Sequence, residues 1–201
     1  MMNLPKELVV ATTNKKKKKE LVGLLKGMGV KILTLDDFKG APEVREDKKT
    51  FRGNAVKKAL TISRFTKRVT LAEDSGLEVT ALNGLPGVRS ARFAGPAKND
   101  NDNITKLLRL LEGVPISKRQ ARFVCFAAIA YNGNLIGTAD GYVNGRISFA
   151  PGGRLGFGYD PVFYYPPFKR NFAQVSSSMK NRVSHRYKAL LKARKTLQKV
   201  F

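Results

Sequence analysis

The segment Gln120–Tyr131 is a long apolar strand that runs straight into Asn132-Gly133-Asn134, a hairpin signal. The later part of the chain is therefore built around hairpins, with 135–140 as the returning strand and 142–149 continuing the sheet. The early part has another rhythm. Residues 7–11 (ELVVA) read as a short buried strand, and 16–28 carries Leu21, Leu24 and Leu25 at helical spacing until Gly27 and Gly29 stop it. A second strand follows over 30–35, then an exposed loop over 36–50 containing Gly40 and Pro42. Residues 54–65 read as a helix, and 68–72 as a strand that ends in the turn-like Glu73-Asp74-Ser75-Gly76. Crossovers first and hairpins later predict an α/β fold with a mixed, twisted sheet.

Between the halves, 90–102 is loop-like, and the polar run 99–103 offers N-caps for a helix reaching Glu112. Ser184 is an N-cap for a final helix whose Leu190, Leu191, Leu197 and Val200 lie near one face. No internal repeat or linker interrupts the chain, so 1–201 reads as one domain.

Charge narrows the function. The chain has 38 Lys+Arg against 15 Asp+Glu, a formal net charge of +23, which attracts polyanions. A nucleotide enzyme and a nucleic-acid binder both fit that balance, and the lysine run 15–19 adds to it. One cysteine, Cys125, cannot form an internal disulfide, and one Cys with one His cannot make a zinc cluster. Cys125 lies in an apolar run and reads as a small core residue, consistent with a reducing cytoplasm. No apolar run reaches the roughly 18 residues of a membrane helix. Met1 to Leu8 lacks the apolar stretch and cleavage site of a secretory signal.

Four segments carry chemistry. Thr12-Thr13-Asn14, followed by lysines, ends a strand and opens a helix, where backbone N–H groups and a positive dipole end suit a triphosphate. Glu73 and Asp74 pair two carboxylates able to offer oxygen to a hard divalent ion. Gly156-Phe157-Gly158-Tyr159-Asp160-Pro161 combines close-approach glycines with rings that can stack on a purine. Lys180 through Arg186 sets the only histidine, His185, beside an arginine at a helix start. In isolation each also reads blandly, as a solvated first turn, an Asp/Ser turn, a structural turn with a core ring and a basic helix cap.

In their order these segments resemble the inosine-triphosphate pyrophosphatase family, the non-canonical purine NTP pyrophosphatases. The matching strings are VVATTNKKKKKEL, PEVREDKKTFRGNAVKKA, LAEDSGLEVTALNGLPGVRSARFAG, QARFVCFAA, GFGYDPVF and KNRVSHRYKALLK, covering about Leu8 to Leu191. The resemblance implies an elongated mixed sheet with flanking helices forming two lobes around a nucleotide cleft, a homodimer, and a magnesium cofactor. It implies cleavage of inosine and xanthosine triphosphates to monophosphate and pyrophosphate. By the same resemblance, Thr12, Asn14, Lys17 and Lys58 contact phosphates, and Glu46, Glu73 and Asp74 hold magnesium, with Asp74 also the general base. Ser75 touches substrate, Phe157, Gly158, Tyr159 and Asp160 bind the base, and Lys180, His185 and Arg186 read the purine. A nucleic-acid-binding protein on the same fold with weakened catalysis is the alternative reading. The chain departs from the family pattern at Arg45, Gly53, Glu73, Leu155 and Met179, and most of these changes remove negative charge.

Overall fold

A computed structural model describes residues 5–201. Met1 to Leu4, part of the segment read for a secretory signal, lie outside the described residues. The order is β1 (Glu7–Val10), α1 (Lys15–Leu25), β2 (Lys31–Thr34), α2 (Phe51–Thr66), β3 (Val69–Val79), α3 (Asp100–Leu110), β4 (Gln120–Tyr131), β5 (Asn134–Ile147), β6 (Phe163–Tyr165), β7 (Arg170–Asn171), α4 (Ser177–Val183) and α5 (His185–Leu197). The seven strands share one sheet in the order β2-β1-β3-β4-β5-β6-β7. β1 pairs in parallel with both β2 and β3, while β6 is antiparallel to β5 and to β7. The mixed α/β sheet expected from the strand rhythm is present.

The chain forms two compact units. Unit 1 takes the chain through Asp74 with Cys125–Gly141 and Tyr187–Phe201, and unit 2 takes Ser75–Val124 and Tyr142–Arg186. Unit 1 follows from strand alternation, since successive side chains point to opposite faces. Leu8 and Val10 of β1 join Leu71, Ile129 and the inward residues Leu21, Leu25, Leu190, Ala193 and Leu197 of α1 and α5. Val9 and Ala11 join the opposite core with Ala72, Ala128 and the α2 residues Ala55, Ala59 and Ile62. Each fully buried leucine of this kind stabilises by about 1.5–3 kcal/mol over exposure. Unit 2 has its own core, where Phe123, Phe163 and Phe172 pack with Leu77, Leu107, Leu111 and Tyr159.

One local expectation changes. The sequence 73–76 is no turn: β3 runs through Glu73, Asp74, Ser75 and Gly76 to Val79. Burial overrides the local polar signal, since Glu73 and Asp74 are only 1% and 4% exposed and have partners in the interior. Ser184 ends α4, its N–H donating to Lys180 O, and immediately precedes α5, the place read for the N-cap of the final helix. The β4–β5 turn is as read, with Asn132 and Gly133 both at positive φ (48° and 81°), the pattern of a two-residue hairpin.

Candidate active site

In unit 1, α2 supplies two side chains one helical turn apart, Asn54 and Lys58, which therefore share a face. Lys58 Nζ donates to Glu46 Oε1 at 2.5 Å and to the Glu73 carbonyl at 2.6 Å. Asn54 Nδ2 donates to Asp74 Oδ2 at 2.9 Å. The Glu73 carboxylate meets Lys17 Nζ at 3.0 Å and accepts from Cys125 Sγ at 3.1 Å. One cluster thus gathers Glu46, Glu73 and Asp74 with Lys17 and Lys58. Burial is the main influence on Asp74 and holds its pKa above the ordinary aspartate range. Lys58 and Lys17 pull it down, Glu46 is close enough to push it up, and the Asn54 bond pulls it down.

The turn before α1 is partly spent on the helix itself. Asn14 is the N-cap, its Oδ1 accepting from Lys16 N and Lys17 N at 3.0 and 3.1 Å, and Thr12 Oγ1 accepts from Asn14 N at 3.2 Å. The first-turn N–H groups of Lys16 and Lys17, which a strand–turn–helix reading offers to phosphate, are thereby covered by Asn14. What remains for an anion is the dipole end and the lysine side chains.

In unit 2, Asp160 organises the glycine loop. Its Oδ2 accepts from Lys180 Nζ at 2.6 Å and from Phe157 N at 2.9 Å, and both charged side chains are buried. Gly156 (φ 76°) is required here, because a Cβ at that position would lie 2.1 Å from Asp160 Oδ2. Lys180 Nζ lies 4.7 Å and Arg186 Cζ 5.7 Å from the Phe157 ring centroid, two cation–π contacts on one ring. Arg186 Nη2 donates to Ser75 Oγ at 3.0 Å. The His185 ring stacks on Phe123 at 4.9 Å. Tyr159 is a core residue whose hydroxyl donates to Ser90 O at 2.9 Å, and burial, then the charge of Asp100, pushes its pKa up. Gly158 N donates to Asp100 Oδ2 at 2.9 Å.

Asn54, Asp100 and the Cys125–Glu73 contact carry no role in the sequence reading. Only Asn54 had a findable signal, its position four residues before Lys58 on the same helix. Gly53, where the family pattern often has Glu, has Lys48 Cβ 3.0 Å from the place of a Cβ, so the 46–48 loop packs against the first turn of α2 there.

Among the described residues no group of three or more His, Cys, Asp or Glu is placed to hold a metal ion. Magnesium does not need such a cage, since it keeps several waters and takes one or two carboxylates plus substrate phosphates. Asp74 and Glu46 are hard oxygen donors, each raising the cost of the other's charge, and a divalent cation relieves that cost. The residues present fit the ion. Glu73, by contrast, spends its longer arm on Lys17 and Cys125.

Fold and cluster together define an α/β protein with buried carboxylates set among lysines on a central strand. The chain belongs to the Ham1 family, whose model matches residues 8–196. It is 51% identical over 195 residues to a dITP/XTP pyrophosphatase of Desulforamulus reducens, covering 97% of each chain. It is 49% identical to a dITP/XTP pyrophosphatase of Geobacillus kaustophilus, covering 93% of this chain and 92% of that one. Among solved structures, a HAM1 protein from Coxiella burnetii matches with a TM-score of 0.88 and 37% identity, covering 96% of this chain and 98% of that one.

Proposed function

We propose that this protein hydrolyses the non-canonical purine nucleoside triphosphates dITP, ITP and XTP to the monophosphate and pyrophosphate, clearing them from the nucleotide pool. Nearly full-length similarity to dITP/XTP pyrophosphatases supports the activity. The observation that carries the chemistry is Asp74, buried beside Glu46, Lys17 and Lys58 and held by Asn54.

The Asp74 cluster takes the triphosphate end. Asp74 accepts a proton from a water, whose oxygen forms a bond to the α-phosphorus as the bridging oxygen to the β-phosphorus leaves with its electron pair. Lys17 and Lys58 neutralise the departing pyrophosphate, Lys58 turning from Glu46 toward phosphate. Thr12 and Asn14 shape the turn that presents the α1 dipole end. Asp74 and Glu46 would hold magnesium, which would supply charge neutralisation on the phosphate oxygens. The excess of positive charge thus has a use short of nucleic-acid binding.

The residues around Phe157 take the purine. Phe157 offers the ring, with Gly158, Tyr159 and Asp160 shaping its loop. Ser75 and Arg186 act as a hydrogen-bonded pair beside it, and Lys180, His185 and Arg186 supply donors. A 6-oxo group accepts from such donors, whereas the 6-amino group of adenine meets them donor to donor. Each buried mispairing costs on the order of 1–3 kcal/mol, which is roughly 5- to 150-fold in rate. The working form in this reading is a magnesium-loaded homodimer in the cytoplasm. No described helix is long and apolar enough to cross a membrane.

A panel of triphosphates assayed for pyrophosphate release checks the base reading. The expected kcat/KM for dITP and XTP exceeds that for dATP and ATP by about tenfold or more. Equal rates for ATP and dITP would remove the role given to Lys180, His185 and Arg186.

A further inference from the structure

We infer that Asn54 is a positioning residue for the reaction, clasping the loop that carries Glu46 to the strand that carries Asp74 and fixing the direction in which Asp74 presents its carboxylate. The inference rests on the proposed role of Asp74 as general base. Asn54 is 1% exposed, and both ends of its carboxamide are spent. Its Oδ1 accepts from Lys48 N at 2.9 Å, and its Nδ2 donates to Asp74 Oδ2 at 2.9 Å. The two bonds determine one another. A backbone N–H can only donate, so Lys48 requires the amide oxygen on its side, and the NH2 group must then face Asp74. A flipped amide would set oxygen against carboxylate and N–H against N–H.

The clasp lies where the loop needs it. Lys48 is two residues past Glu46, and Thr50 caps the first turn of α2 by accepting from Gly53 N at 3.0 Å. One turn beyond Asn54, Lys58 holds Glu46 itself. The single face of α2 therefore sets both the acidic loop and β3. With Oδ2 held, turning the Asp74 carboxylate away from that direction breaks the Asn54 bond. A displacement of about 1 Å in a reacting group can cost on the order of 100-fold in rate.

Two variants separate the clasp from the aim. Asn54→Asp keeps an oxygen for Lys48 N but puts oxygen in place of the donor to Asp74, and Asn54→Ala loses both bonds. With dITP, both are expected to lower kcat about 100-fold while leaving KM within about threefold. Amide hydrogen exchange at Lys48 reads the clasp without turnover. It is expected to stay slow in the parent and in Asn54→Asp and to rise about tenfold or more in Asn54→Ala. Parental kcat in Asn54→Asp, or a loss confined to temperatures where the variant unfolds, would overturn the inference. So would equal Lys48 exchange in all three proteins. If the parent itself released no pyrophosphate, the proposed activity would fail, and the exchange pattern would still decide the clasp.

Discussion

Asp74→Asn is expected to lower kcat for dITP by about a hundred- to ten-thousand-fold, the range a positioned general base contributes, while leaving the fold as stable as the parent or more so. The stability half follows from the burial that dominates the Asp74 carboxyl and raises its pKa. A carboxyl whose pKa is higher folded than unfolded binds its proton more tightly in the folded state. Stability from that group is then fullest below the unfolded pKa and is lost as pH rises through the folded one. Above its folded-state pKa the parent carries an ionised, desolvated carboxylate, and the variant carries a neutral amide in its place. The oxygen of that amide can still accept from Asn54, so the local bond survives. Thermal unfolding measured beside steady-state kinetics checks both halves. A variant that loses activity and also loses stability would assign Asp74 a structural role.

Lys180→Met is expected to be the most destabilising of the site substitutions. It leaves Asp160, whose side chain is 2% exposed, with the Phe157 N–H but without its ammonium partner. Breaking a buried ion pair from one side typically costs about 3–5 kcal/mol, roughly 6–20 °C in Tm for a chain of this size. The cost belongs to the stranded charge, so the double variant Asp160→Asn/Lys180→Met should recover part of the lost stability. A single variant melting within about 2 °C of the parent would show that Asp160 finds another cation or takes up a proton. Base recognition should weaken as well, since Lys180 also lies over the Phe157 ring.

Much of this site is legible in the sequence, and the reasons for the rest are physical. Leucine spacing gives α1, and the apolar run with Asn132-Gly133 gives β4, its turn and the start of β5, because local pattern and tertiary burial agree there. At Glu73–Gly76 they disagree. Paired acids before Ser-Gly look like a strand end, yet Lys17 and Asn54 satisfy the acids inside the protein, and β3 continues. Pairings such as Lys17 with Glu73, or Asp160 with Lys180, join distant parts of the chain, and no spacing rule reaches them. Asn54 and Lys58 are readable as one helical face. The partners they meet, Lys48 N, Asp74 and Glu46, come into view only once the loop is folded.

In the proposed reaction water attacks the α-phosphorus of a purine triphosphate under the control of Asp74. Hydrolysis of dITP in water enriched in heavy oxygen, followed by mass analysis of the separated products, tests it most directly. Label is expected in the nucleoside monophosphate, with unlabelled pyrophosphate and release of both slowed about a hundredfold or more by Asp74→Asn. Label in pyrophosphate or in inorganic phosphate, with a nucleoside diphosphate as the other product, would contradict it.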